Sequence, residues 1–411
     1  MFSQIRFLDP ANRRSGWLGV ELKNKQIQNF APRQDGLAVP LILGPALVDL
    51  YSYSGEPGYE ERDTLASLAQ AAQAGGFGEV AILPICEPVL DQPAVLDLMR
   101  QRLQNLEPGP QFHFWGALTL GAQGQQLSEW GELQRAGVVG FSDGRPLTNL
   151  VLLQRALEYM APLKKTLALV PADLNLRGQG VMREGPDSLR LGLAGDPASS
   201  EATAIAQILA LSQDYATPIH LMRISTQKGV ALIAQAKSQN LPITASVSWM
   251  HLLADTEDLA GYDPNFRLSP PLGTPGDRRA LIEAVKQGII DAIAVDHRAY
   301  TYEEKTLAFA ESPPGAIGLE LALPLLWQRL VATEKLTALE LWQALSSKPA
   351  QCLGIPFQSR HWLLFDPHHT WTANSQTLKT LGQNSPWWGQ EIRGKVMQFF
   401  EATPPLPPLE P

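Results

Sequence analysis

A chain of 411 residues exceeds one ordinary domain, and its 45% hydrophobic content can fill a large core. A formal charge of -8 argues against a nucleic-acid backbone as partner. Two cysteines, Cys86 and Cys352, exclude a disulfide framework or thiolate metal cluster, and with no signal-peptide pattern and no apolar run of ~18 residues the expectation is a cytoplasmic protein without membrane spans.

Residues 1–44 form short extended segments such as Trp17-Leu18-Gly19-Val20-Glu21-Leu22, broken by Pro32, Gly36 and Pro40. From 46 onward short β-rich runs alternate with helical periodicity. Strands are predicted at 46–51, 79–84, 112–118, 137–141, 166–170, 218–224, 242–247 and 289–295. Helices are predicted at 60–74, 92–105, 149–161, 201–213, 226–238 and 276–287. Eight strands with intervening helices match a (β/α)8 TIM-type barrel better than an open doubly wound sheet. No glycine-rich phosphate loop follows the first strand, which weakens a dinucleotide reading. The long segment 171–200, rich in Gly, Pro, Asp and Arg, is either a lid or an insertion covering the rim.

Helices at 317–331 and 337–347 follow the last barrel strand, and residues 355–402 return to β-like runs. The expected organisation is therefore an α/β barrel over 45–354, with 1–44 and 355–402 meeting in a small composite β domain. The tail 403–411 is proline-rich and expected to be extended.

The stretch Ala46-Leu47-Val48-Asp49-Leu50-Tyr51-Ser52-Tyr53-Ser54-Gly55-Glu56-Pro57-Gly58 organises the rest. Residues two apart on a strand share a face, so Tyr51 and Tyr53 should project together from the C-terminal end of the first barrel strand. In such barrels that rim carries the chemistry. Read with Gly75-Gly76-Phe77, Leu83-Pro84-Ile85, Val138 to Gly144, Gly180 to Gly185, His220 to Thr226, Ser269-Pro270-Pro271-Leu272, Ile290 to His297 and Gly315 to Glu320, this stretch resembles the dihydroorotases of the amidohydrolase superfamily. The resemblance covers residues 40–360 in the family's order. It implies a distorted (β/α)8 barrel and, for active members, zinc-dependent cyclisation of carbamoyl aspartate and its reverse.

The family's first strand ends in Asp-x-His-x-His, whose two His bind zinc; here the frame is Asp49-Leu50-Tyr51-Ser52-Tyr53. Phenols are poor zinc ligands at neutral pH. The Arg that clamps the substrate carboxylate is Gly55, and the substrate-binding Asn is Ile85. Two further ligand His become Pro171 and Arg223, and a second carboxylate-binding Arg becomes Gly273. Asp143 fits an acidic metal-binding position, and Asp296 matches the carboxylate that shuttles the proton, here expected to be vestigial. The family's His after Ala-Pro is Tyr300.

Other residues do not rebuild the site. His368 and His369 are adjacent and diverge, while His113 and His361 sit among aromatics. His251 and His297 match family positions that read as structural, and Cys86 has no sequence-apparent base. The expectation is that Arg223 replaces the missing metal charge and neutralises Asp143 and Asp296, with Tyr51 and Tyr53 filling space. The resemblance then implies a metal-free, inactive dihydroorotase-like protein of pyrimidine biosynthesis, with aspartate carbamoyltransferase as the favoured partner and self-association left open. Trp115, Trp249, Trp362, Trp387 and Trp388 could serve an interface, though buried packing is the default for each. The alternatives are a working dihydroorotase or related cyclic-amide hydrolase with a rebuilt site, using zinc or Asp296 alone as base, and a sensor that has exchanged its ligand.

Overall fold

In the computed structural model, whose described residues are 2–23, 26–31, 37–104, 106, 109–357 and 361–401, extended chain at both ends builds one sheet. Its strands are β1 (Phe2–Asp9), β2 (Arg14–Lys23), β3 (Gln26–Ala31) and β4 (Leu37–Pro45) from the start of the chain. The barrel follows with β5 (Leu47–Ser52), β6 (Phe77–Ile82), β7 (Gln111–Gly116), β8 (Gly140–Phe141) and β9 (Thr166–Leu169). Two-residue strands β10 (Met182–Arg183) and β11 (Gly195–Asp196) pair with each other outside it. The barrel resumes with β12 (Ile219–Leu221), β13 (Ile243–Ser248) and β14 (Ala292–Ala294), and β15 (His361–Thr372) and β16 (Glu391–Glu401) return to the first sheet. That sheet runs β16-β15-β4-β1-β2-β3, and the expected tail at 403–411 lies outside the described residues.

All ladders of the eight-stranded barrel sheet are parallel, from β5 through β9 and on through β12 to β14. The last strand meets the first through a different kind of seam. Asp296 N donates to Tyr51 O at 3.1 Å and Tyr53 N to His297 O at 2.8 Å. Below these, Asp49 reaches across the seam. Its Oδ1 accepts from Val295 N at 2.7 Å and its Oδ2 from Ser52 Oγ at 2.6 Å. Burial, partly offset by these hydrogen bonds, raises the Asp49 carboxyl to about 7.

The barrel helices follow their sequence signals, with two shifts. The first begins at Leu65 rather than 60, because Thr64 and Ser67 form a reciprocal capping box there. The helix expected at 317–331 begins at Ala322 and passes into a π-turn at Trp327–Val331. Pro324 lies in its first turn, where the missing N–H costs least; a start at 317 would bury that proline mid-helix. The segment 171–200 is not a bare loop. It carries short helices Leu174–Arg177 and Pro186–Leu191 besides β10 and β11. Arg183 Nη2 ties it to Ser225 Oγ at 2.8 Å, and Tyr262 OH ties it down through Leu191 O at 2.8 Å.

Inside the barrel, Val48, Leu50, Ala81, Trp115, Ala168, Met222, Ala292 and Ala294 pack into one apolar cluster topped by Tyr51 and Tyr53. Trp115 spans this interior and donates to Leu50 O, and Trp249 is buried against Trp387, so neither offers an outer surface. Trp362 stacks on Phe7 in the terminal sheet, while Trp387 and Trp388 pack half-buried on the main core.

Candidate functional site

Two barrel strands end in residues with left-handed backbone: Arg223 after β12 (φ 56) and Asp296 after β14 (φ 53). Neither is glycine, so each conformation is strained and needs local compensation. The compensation is mutual. Arg223 Nε and Nη2 each donate to one Asp296 carboxylate oxygen at 2.7 Å, a planar two-point pair. The same guanidinium donates through Nη2 to Tyr53 OH at 3.0 Å and through Nη1 to Gly144 O at 3.0 Å. Burial opposes the charge on Arg223, yet Asp296 beside it holds the guanidinium well above its ordinary range. The pair is asymmetric: 5% of the Arg223 side chain is exposed against 18% of Asp296, so the carboxylate alone faces the cavity above.

Tyr51 lies one layer deeper and does more than fill space. Its hydroxyl accepts from Arg223 N at 3.1 Å and meets Ser246 Oγ at 2.9 Å. Ser246 Oγ meets His220 Nε2 at 2.8 Å, and His220 Nδ1 meets Thr244 Oγ1 at 2.8 Å. Burial lowers His220 to about 3, so its ring is neutral. One proton direction then satisfies the whole chain, from Tyr51 OH through Ser246 to His220 and Thr244. Burial, reinforced by Asp296, pushes the Tyr51 phenol far above neutral pH.

Asp143 departs from the expectation that Arg223 neutralises it. Its oxygens accept from Leu118 N (2.8 Å), Thr119 N (2.9 Å) and Thr119 Oγ1 (2.6 Å), so a loop satisfies it and Arg223 takes only the neighbouring Gly144 carbonyl. Burial raises its carboxyl, against those hydrogen bonds. Pro171 also falls outside the cluster, lining clefts beside the barrel near the helix Ala198–Ser212. Gly55 and Gly273 are not merely side chains missing from an open site. A Cβ at Gly55 would stand 2.3 Å from Asp63 O and 2.5 Å from Tyr59 O, and one at Gly273 would stand 2.8 Å from Ser225 O. The backbone has closed over both positions. His297 is structural as expected: buried, with Nε2 3.2 Å from Asp63 and Nδ1 accepting from Gly318 N.

Above the Arg223–Asp296 pair lies a cavity of about 210 Å³ bounded by Tyr53, Ile85, Val170, His251, Asp296 and Arg298. It adjoins an outer chamber of about 310 Å³ that shares Tyr53, Ile85, Arg145 and Arg298 and reaches Gly55 and Tyr300. Sequence reasoning missed Arg145, Arg298 and Ser246. For the two arginines a signal existed: each lies two residues beyond a rim carboxylate, Asp143 or Asp296. The Ser246 contact joins β13 to β5 and has no counterpart in local spacing.

A zinc ion takes three or four N, S or O ligands. The rim supplies two phenols, a prolyl ring, a guanidinium and one carboxylate already held by that guanidinium. Among the described residues no group of three or more His, Cys, Asp or Glu side chains could hold a metal ion. By its donor chemistry this constellation does not fit zinc.

Comparison with known proteins gives consistent results. The model of a family described as dihydro-orotase-like matches residues 40–229. A probable dihydroorotase-like protein from Synechocystis sp. is 52% identical, covering 96% of this chain and 98% of its own. A dihydroorotase from Geobacter metallireducens is 37% identical over 95% of both chains. A dihydroorotase-like protein from Pseudomonas aeruginosa is 37% identical over 87% of this chain and 85% of its own. Among solved structures, an L-hydantoinase from Arthrobacter aurescens superposes with a TM-score of 0.81 at 20% identity, covering 98% and 95% of the two chains, a likeness of fold.

Proposed function

The chain belongs to the dihydroorotase-like family, and we propose that within it this protein holds no catalytic zinc, does not hydrolyse dihydroorotate, and serves pyrimidine synthesis as a structural or regulatory partner of aspartate carbamoyltransferase. The observation that carries the reading is the two-point pair between Arg223 and Asp296. The one retained catalytic-type carboxylate is engaged by a buried guanidinium that stands at a family metal-ligand position. A carboxylate held by two charge-assisted hydrogen bonds is a weak base, and general-base work needs a group poised near the operating pH.

The surrounding residues support the same reading. Four first-shell ligand positions carry Tyr51, Tyr53, Pro171 and Arg223, whereas loss of even a second-shell partner typically costs about 10–100-fold. The positions of both substrate clamps, Gly55 and Gly273, have closed against backbone. What the residues at the rim do is hold the strand ends of the barrel together. The partnership with aspartate carbamoyltransferase rests on the family resemblance.

Elemental analysis of the purified protein beside a dihydroorotate hydrolysis assay tests the first part. The expected result is zinc far below one per chain and no turnover; stoichiometric zinc with turnover overturns the reading in favour of a working hydrolase. Co-purification with aspartate carbamoyltransferase tests the second, and clean failure of the two proteins to associate sinks the partnership.

A further inference from the structure

The carboxylates that reach the two chambers of the barrel mouth are already matched. Asp296 is held by Arg223, and Glu304 in the outer chamber is held by Arg62 at 2.6 Å. Two cations are left over. Arg145 and Arg298 line both chambers, and among the described residues neither has a carboxylate within ion-pair distance. Arg298 is half-buried, its guanidinium carbon 4.3 Å from the centre of the Tyr53 ring and 5.3 Å from that of Tyr300. The rings hold the guanidinium in place without neutralising it. Behind Tyr300 lies a further buried cation, Lys305, whose ammonium donates to the Pro264 and Pro313 carbonyls. The mouth therefore carries excess positive charge in a confined, partly apolar space.

A second, independent group faces the inner chamber. His251 lines it, is 2% exposed, and donates through Nε2 to Pro271 O at 3.3 Å, while its Nδ1 has no hydrogen-bond partner. A buried ring nitrogen left bare is costly, and burial keeps this ring neutral at about 4, with Nδ1 as an acceptor. It calls for a donor.

We propose that the mouth binds a small carboxylate that also carries an N–H donor, its carboxylate held between Arg145 and Arg298 and its N–H directed to His251 Nδ1. The two guanidiniums stand at neither of the closed clamp positions, Gly55 and Gly273, so this is a new arrangement of charge. Chambers of 210 and 310 Å³ hold a metabolite-sized molecule and no polymer. The apolar walls at Ile85, Val170 and Leu268, with a single half-buried guanidinium, suit a carboxylate better than a dianionic phosphate. The proposal rests on the non-hydrolytic reading in one respect: the ligand is held and released unchanged.

Isothermal titration of the full chain with four probes tests it: N-acetyl-L-aspartate, succinate, succinamide and inorganic phosphate. N-acetyl-L-aspartate is expected to bind about 3–10-fold tighter than succinate, the difference made by one N–H hydrogen bond. Succinamide should show no binding, and added salt should weaken the carboxylates. Arg298→Gln should weaken N-acetyl-L-aspartate about 10–100-fold while Arg298→Lys retains part of it. Arg145→Gln, an exposed position, serves as the second variant should Arg298→Gln fail to fold. Succinamide binding as well as succinate, wild-type affinity in both arginine variants, or no carboxylate binding at millimolar concentration overturns the proposal; tighter binding of phosphate overturns the carboxylate assignment. Turnover of dihydroorotate in the same preparation would overturn the non-hydrolytic reading and leave measured binding standing, so the two failures are distinguishable.

Discussion

The barrel mouth has two layers built from the same kinds of residue with opposite results. In the lower layer every charge is matched: Arg223 with Asp296, Tyr51 with Ser246 and His220, Asp49 with Val295 and Ser52. In the upper layer Arg145 and Arg298 are unmatched and half-buried or exposed. The contrast teaches that an arginine near a rim carboxylate has no fixed meaning. Where its donors converge on one buried carboxylate it is part of the scaffold; where they face a cavity without a carboxylate it is available to a ligand.

The sharpest way to break this contrast is to remove the centre of the lower layer. Arg223→Ala is expected to lose about 3–5 kcal/mol of stability in chemical denaturation, because Asp296 is left as an unpaired, largely buried charge. The double variant Arg223→Met, Asp296→Leu should recover much of that loss; if the single change leaves the denaturation midpoint untouched, the lower layer is not the scaffold described here.

Asp49 gives the same layer a pH signature. Its folded carboxyl, at about 7, stands above its unfolded value of 3.8, so the folded chain binds the extra proton between those limits. Its contribution is full below about pH 4 and is lost as pH rises through 7, up to roughly 4 kcal/mol across the window. Glu320, also raised to about 7 by burial, acts with the same sign. Asp49→Asn should therefore flatten the stability profile between pH 4 and 7 without abolishing its slope, and an unchanged profile would place the titration elsewhere.

Reinstating a clamp is expected to fail sterically. Gly55→Arg forces a Cβ against the Asp63 and Tyr59 carbonyls and should cost about 1–3 kcal/mol or more, with no gain in dihydroorotate binding. A smaller effect follows from Tyr51→Phe, about 1–2 kcal/mol, since Arg223 N and Ser246 lose a buried partner. The smallest belongs to the upper layer. Arg145→Gln should change unliganded stability by no more than about 0.5 kcal/mol, because nothing in the fold depends on it. A large loss there would erase the distinction between the layers.

Periodicity placed the barrel strands, because buried parallel strands between amphipathic helices write a strong local signal; β5 lies one residue from its expected position and β9 begins on it. Termini that pair in one sheet were also legible from extended runs at both ends. At the site, Tyr51, Tyr53, Arg223 and Asp296 were legible because each follows a strand whose end is marked by its own sequence. Asp143 was misjudged because its partners, Leu118 and Thr119, come from a neighbouring loop whose geometry no spacing encodes. Gly55 and Gly273 were legible as absences, but not the backbone that has moved in against them.

The seam at Asp49 also orders events in time. The carboxylate that fastens the first barrel strand accepts its hydrogen bond from Val295, 246 residues downstream. Contacts this distant in the chain form slowly, since the intervening loop must be closed before they yield any stabilisation. On the ribosome β5 emerges long before its last neighbour, leaving an open strand edge and a bare carboxylate until β14 is made. Synthesis of this protein therefore ends with the stitching of a barrel, and a truncation before residue 292 leaves an open sheet.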